Sequence, residues 1–310
     1  MMDLSTLNDN QREAVNWRDG PILILAGPGS GTTQVLTYRI ASILEETPDK
    51  YFKILGLTAT NRAAAEMHER IASLVPRARN RIRIKTFHSF LEALLRQHGS
   101  HIGLRPNFTV LVQDADRWTL LDEAIGRARN GMLGYGMTAE RLLPVVSRLI
   151  ENNVGVKEAF KTLQNDSFDD AETLASVYGN YRALMIEKNA LDFPGLIAEA
   201  LSMLEKKPPV REFTQDIYGY ICVDEFQYTN LLQYRILRHL VDPSTENLFV
   251  VADDDQIIYQ WNGANPERLW KLREDFNMRV LRLPENYRCP PAVIERANCL
   301  IKYNSGRPAE

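Results

Sequence analysis

The 310 residues predict an α/β protein: a parallel sheet with helices on both faces, interrupted by a mostly helical inserted domain. Three observations predict it. Short continuous apolar runs alternate with helix-period stretches over residues 1–99, as strands buried on both faces require. Over residues 100–210 such runs become scarce and long amphipathic stretches replace them. Strand runs then resume over residues 211–310, so one sheet is expected to be built from two separated parts of the chain.

In chain order, Ile22 to Ala26 (ILILA) reads as a buried strand and Gln34 to Leu44 as a helix. Ile54 to Thr58 is a second strand, followed by a helix from Asn61 to Leu74 for which Asn61 is a candidate cap. Ile82 to Lys85 and a helix from Ser89 to Gln97 complete the first part. Trp118 to Arg127 and Ala171 to Lys188 are examples of the helical segment. The returning strands are Tyr220 to Val223, Leu248 to Ala252 and Arg279 to Leu283.

Bulk composition narrows the function. With 45% hydrophobic and 25% charged residues, the chain has an ordinary globular composition, and no apolar run approaches the ~20 residues that span a bilayer. The start, MMDLSTLNDN, carries neither a basic leader nor an apolar stretch, which predicts a cytoplasmic protein. Cys222, Cys289 and Cys299 lack zinc-site spacing and are expected to be reduced, structural residues. A net charge of −3 gives no general basic field, so a nucleic acid would have to be held by local groups.

The segment AGPGSGTT, Ala26 to Thr33, carries the most chemistry. A strand ending in a small residue and followed by Gly27, Gly29, Ser30 and Gly31 before a helix lets successive backbone N–H groups surround phosphate oxygens. This is the phosphate loop of the P-loop NTPases, with Thr33 supplying the hydroxyl that binds magnesium. Thr32 stands where that loop has its lysine. A neutral side chain too short to reach the γ-phosphate removes a stabiliser of transition-state charge, so impaired hydrolysis is expected.

Two further strands end in acids. YICVDEFQ places Asp224 and Glu225 at a carboxyl end, where ligands of open α/β sheets bind. Asp224 is expected to hold magnesium, and Glu225 to orient and deprotonate the attacking water. LFVVA runs into Asp253, Asp254, Asp255 and Gln256, the last a neutral group suited to sensing a γ-phosphate, and then to Tyr259 and Trp261, whose ring suits stacking on a base.

In order, these segments resemble the UvrD/Rep/PcrA-type superfamily 1 DNA helicases, whose motor core is RecA-like. LNDNQREAV is similar to that family's adenine motif, which implies that Gln11 contacts the base. TATNRAAAEM and IKTFHSF resemble its single-strand-binding motifs, implying DNA contacts from Thr58, Thr60, Asn61, Arg62, Thr86 and His88, with Tyr259 and Trp261 added from DDDQIIYQWNGA. LPENYRCPPAVIERAN resembles the motif in which Tyr287 stacks on adenine and Arg288 approaches the γ-phosphate. The helical insertion corresponds to the family's first accessory domain. The resemblance implies ATP and Mg2+ as cofactors and single-stranded DNA, or DNA with a 3′ tail, as partner. It also implies a second motor domain, absent from these 310 residues, and leaves room for a repair-protein partner.

Departures gather at the chemistry. Besides Thr32, Gln34 stands for an arginine, Ala59 for a base-stacking phenylalanine, and Tyr228 for an acidic residue, while Ile257 and Asn262 replace a serine and an arginine. Arg62 for lysine keeps the cation. Two functions follow as expectations: the motor half of an ATP-dependent 3′ to 5′ helicase, or a non-hydrolysing nucleotide and single-strand binding module derived from one.

Overall fold

The computed structural model describes residues 4–128, 138–166, 168, 170–256 and 266–301. They form two compact units, Met1–Phe87 with Arg211–Asn230 and Leu237–Glu310, and His88–Val210 with Leu231–Ile236.

In the first unit the chain runs α1 (Asp9–Asn16), β1 (Ile22–Ala26), α2 (Thr32–Glu46), β2 (Lys53–Thr58), α3 (Asn61–Leu74) and β3 (Ile82–Thr86). The next helix, α4 (Phe87–His98), was grouped with the core in the sequence reading and falls in the second unit from His88 onward. The second unit continues with β4 (Thr109–Leu111), α5 (Asp114–Ala128), α6 (Ala139–Glu151), α7 (Ala159–Asn165), α8 (Ala171–Glu187), β5 (Ala190–Asp192) and α9 (Phe193–Lys206). The chain then gives α10 (Pro208–Ile217), β6 (Tyr218–Val223), α11 (Leu231–Leu240), β7 (Leu248–Ala252), α12 (Pro266–Asp275), β8 (Arg279–Leu283) and α13 (Pro291–Ile301).

The main sheet has six strands in the order β3-β2-β6-β7-β1-β8, and every pairing is parallel. Two of its interior strands, β1 and β7, are buried at every position, which explains their unbroken apolar runs. The edge strands β3 and β8 instead carry Arg83, Lys85, Arg279 and Arg282 among their apolar residues, charges that discourage further strand pairing. Around β1 the core joins Ile22 and Ile24 to Val35, Leu36 and Ile40 of α2 and to Phe249 and Val251 of β7. Because all six strands point the same way, their carboxyl ends share one edge of the sheet, and the loops after Ala26, Thr58, Val223, Ala252 and Leu283 gather there with Thr86, which runs straight into α4.

Local details differ from the sequence reading. Thr60, not Asn61, caps α3: its extended backbone lets its hydroxyl accept from the Ala63 N–H at 3.1 Å. Helix α2 starts at Thr32, inside the phosphate loop, and α4 at Phe87. Cys222 is buried in β6, where burial pushes its thiol up to about 11, but Cys299 is exposed rather than packed. No helix among the described residues is long and apolar enough to cross a membrane.

The second unit packs α5 against α8 and α6, and it holds a two-stranded parallel sheet, β4 with β5, that the sequence reading did not anticipate. Asp192 at the end of β5 is fully buried and serves three groups. Its carboxylate caps α9 through the Gly195 N–H at 2.7 Å, accepts the Tyr181 hydroxyl at 2.8 Å, and lies 3.4 Å from Arg117 Nε. A second ion pair, half-buried Arg182 with buried Glu199, ties α8 to α9.

Candidate nucleotide site

The loop after β1 is shaped by Gly29 and Gly31, whose φ values of +83° and +82° lie in the left-handed region that glycine tolerates. Space forbids a side chain as well. A Cβ at Gly29 would sit 2.7 Å from Arg288 Cβ and 2.8 Å from Asn286 Oδ1, and one at Gly31 would sit 2.7 Å from Gln11 Nε2. Ser30 is buried, and its hydroxyl donates to the Gly27 carbonyl at 2.6 Å, closing the loop on itself.

Gln11 supports the loop from α1. It is buried, its Nε2 donates to the Ser30 carbonyl at 2.9 Å, and its Oε1 accepts from the Asn8 N–H at 3.0 Å. The reciprocal Asn8 bond to the Gln11 N–H, 2.8 Å, makes a capping box that fixes the start of α1. From the other side the Tyr287 N–H donates to the Gly29 carbonyl at 2.9 Å and Asn286 Nδ2 to the Pro28 carbonyl at 2.5 Å. The Tyr287 ring stays 60% exposed; its hydroxyl accepts from Asn8 Nδ2 at 2.7 Å and donates to Glu285.

A cleft of about 370 Å³ opens beside this loop, and it collects Gly29, Gly31, Thr32, Thr33, Asp224 and Arg288. Gln34 of α2 joins them, and the facing wall is one side of α3, where Ala63, Glu66, Met67 and Arg70 recur at helical spacing. The sequence reading missed that wall, although the spacing within TNRAAAEMHER carries it. Gly27, Ser30 and Gln256 line a neighbouring hollow of about 330 Å³ with Asp253, Asp255 and Asn286.

Burial, and then the Glu225 charge, push the Asp224 carboxyl up to about 7. Asp253 is raised to about 6, chiefly by burial, and its buried Oδ2 has no hydrogen-bond partner. Glu225 holds a left-handed backbone, φ 54°, that a non-glycine residue adopts at a cost and that often marks a functional turn. Gln227, which closes YICVDEFQ, joins the strand ends. Its Nε2 donates to Glu225 at 2.5 Å and its Oε1 accepts the Asp253 N–H at 3.1 Å. The Tyr228 hydroxyl donates to Gln256 Oε1 at 3.2 Å.

The raised acids make a pH prediction. A carboxyl whose folded pKa lies above its unfolded value of about 3.9 binds its proton more tightly in the native state, so the metal-free protein loses stability as pH rises from about 4 through about 7. Asp224→Asn removes that penalty. It is expected to stabilise the metal-free chain by about 1–2 kcal/mol at pH 8 and by almost nothing at pH 4, a difference that thermal unfolding at the two pH values reads directly. Equal effects at both pH values would contradict it.

Of the expected single-strand contacts, Thr58 and Thr86 end neighbouring strands and are buried. Thr86 Oγ1 donates to Asn61 Oδ1 at 3.4 Å, while Arg62 is exposed and paired with Glu66 at 3.2 Å. His88 belongs to the second unit, where its ring meets Phe193 edge-on at 5.3 Å and burial holds its pKa below the usual value. Tyr259 and Trp261, with Ile257 and Asn262, lie outside the described residues.

A parallel sheet with a glycine loop and an acidic strand end at its carboxyl edge defines the RecA-like P-loop class. Comparison with known proteins narrows this: residues 7–277 match the family described as the UvrD/REP helicase N-terminal domain, and the chain belongs to it. It is 36% identical over 305 residues to the ATP-dependent DNA helicase PcrA of Bacillus subtilis (strain 168), covering 98% of this chain and 40% of that protein. The PcrA proteins of Staphylococcus aureus (strain Mu50 / ATCC 700699), 35% identical over 310 residues, and Staphylococcus epidermidis (strain ATCC 12228 / FDA PCI 1200), 34% over 305 residues, are each matched over 98% of this chain and 41% of their own length. The chain thus spans about two fifths of the length of these relatives.

Proposed function

We propose that this chain is the ATP-binding motor half of an ATP-dependent 3′ to 5′ DNA helicase or translocase, acting on single-stranded DNA in repair or replication, with hydrolysis weakened by Thr32. The single observation that carries the proposal is the cleft uniting the glycine loop, Thr33, Asp224 and Arg288. The residues present fit magnesium: Asp224 and Glu225 are adjacent carboxylates whose mutual repulsion and burial a divalent cation would relieve. Asp224 and the Thr33 hydroxyl would hold the ion. When bound, it would offset phosphate charge.

The Gly29 and Gly31 backbone shapes the phosphate cradle, Gln11 and Ser30 hold its form, and the exposed Tyr287 ring offers a platform for adenine. Glu225 is the base for water, and Gln256 and Arg288 answer to the γ-phosphate. Thr58, Thr60, Asn61, Arg62, Thr86, His88, Tyr259 and Trp261 form the proposed DNA track. A second motor domain completes the nucleotide site, and a repair protein is a further proposed partner. The proposed location is cytoplasmic.

Tyr228 favours keeping a second reading, a non-hydrolysing nucleotide and single-strand binding module, because its hydroxyl occupies the oxygen of Gln256. The test is DNA-stimulated ATP hydrolysis by a protein carrying this chain together with the second motor domain. Stimulation supports the motor, and nucleotide binding without it supports the module. The 310-residue chain alone is expected to bind single-stranded DNA weakly, with affinity falling as salt rises, and to unwind nothing. Robust unwinding by it would overturn the two-domain reading.

A further inference from the structure

We propose that the outer edge of the main sheet is a further single-strand binding strip, on which Arg77, Arg83 and Lys85 hold backbone phosphates and Tyr51 stacks on a base; the inference rests on the single-strand reading above and extends it. From Arg77 to Lys85 the sequence RARNRIRIK places a cation at every second position and no acid, in a chain whose net charge is −3. Two of these cations have structural duties. Arg81 is buried, donates to the Phe52 carbonyl at 3.0 Å and the Thr47 carbonyl at 2.6 Å, and lies over the Phe52 ring at 4.6 Å. Arg79 pairs with Glu69 at 2.7 Å. Among the described residues the other three enter no ion pair: Arg77 and Lys85 are exposed, and half-buried Arg83 donates to the Ile82 carbonyl at 2.9 Å.

The fold sets these groups along one edge. β3 is paired with β2 on one side only, and its Arg83 and Lys85 alternate with Ile82 and Ile84, which are buried in the core. Alternate residues of a strand stand about 6.6 Å apart on one face, so the cations form a spaced row and not a cluster. At the carboxyl end of the row Lys85 adjoins Thr86, a proposed single-strand contact. At the other end Arg81 fastens the segment that carries Tyr51, through its bond to the Phe52 carbonyl. Phe52 packs on the core and on Tyr220 at 5.2 Å, whereas Tyr51 is fully exposed. Discouraging strand pairing accounts for charge at 83 and 85, but not for a bare ring at 51 or a cation at 77, ahead of the strand. A ring for a base face beside cations for phosphate is the combination that grips single strands without reading sequence. A duplex keeps its bases stacked inside, and an acidic peptide has no base to offer, so neither would use Tyr51.

The test is equilibrium binding of the 310-residue chain to a labelled oligothymidylate of about 20 nucleotides over a salt series, with polyglutamate as a second polyanion. A triple variant carrying Arg77→Gln, Arg83→Gln and Lys85→Gln is expected to bind the oligonucleotide about tenfold more weakly at low salt. Its log–log salt slope should be shallower by about 2, from three phosphate contacts at about 0.7 each. The pair Arg77→Lys and Arg83→Lys, which keeps the charge, should keep the wild-type slope. Tyr51→Ala should also cost about tenfold, as loss of one stacked base does, with the slope unchanged, and Tyr51→Phe should bind as wild type. Wild-type affinity and slope in the triple variant overturn the proposal while leaving the single-strand reading standing. Polyglutamate bound as tightly as the oligonucleotide, with Tyr51→Ala without effect on either, overturns it in favour of an acidic protein partner. No oligonucleotide binding by the wild type would remove the single-strand reading itself, and the strip with it.

Discussion

Thr32→Lys is expected to raise DNA-stimulated ATP turnover by about 10²-fold in a protein that carries this chain with its second motor domain. The loop already has the backbone such a lysine serves: left-handed glycines at 29 and 31, a closed Ser30 to Gly27 bond, and a helix starting at Thr32. Position 32 faces the cleft, so the new ammonium has somewhere to go. Losing one well-placed donor to a developing charge typically costs about 10²–10³ in turnover, which sets the scale of the expected gain. Steady-state kinetics should show the gain mainly in kcat, because a charge that develops in the transition state is the one most stabilised. Unchanged turnover would mean that Tyr228, or the residues at 257 and 262, disable the site independently.

Asp192→Ala is expected to be the most damaging single change to the fold. It removes the cap of α9, the acceptor of the buried Tyr181 hydroxyl and the charge beside Arg117 Nε, while the other nitrogens of Arg117 keep Asp114 and Ser147. Breaking one partner of a buried charged cluster costs about 3–5 kcal/mol, whereas the cap alone is worth about 1 kcal/mol. Chemical denaturation followed by circular dichroism should show the helical unit unfolding first. Asp192→Asn keeps an acceptor for the cap and should lose less. A loss below about 1 kcal/mol for the alanine variant would show that water replaces the carboxylate.

The sheet was legible because its strands are buried on both sides. ILILA and LFVVA admit no polar residue, and each ends where a loop must carry the chemistry. The three-residue strands β4 and β5 were not legible, since three residues show no periodicity and their pairing depends on residues about eighty positions apart. The cap of α3 was a tie between two competent neighbours, Thr60 and Asn61, decided by the backbone that leads off β2. In the site, the glycines and acids announced themselves by residue type. The α3 wall and Gln227 did not, because their significance comes from what stands across a cleft or between two strand ends. The motif names Gln11 as an adenine contact, whereas its bonds to Asn8 and Ser30, which brace the phosphate loop, needed the structure.

Titration of the 310-residue chain with ATP, with and without magnesium and alongside Asp224→Ala, tests the central claim most directly. The expected result is weak binding that tightens with magnesium, with the tightening lost in Asp224→Ala. Binding of equal strength with and without magnesium, or the same magnesium response in the variant, would contradict the assignment of Asp224 and the glycine loop to one nucleotide site.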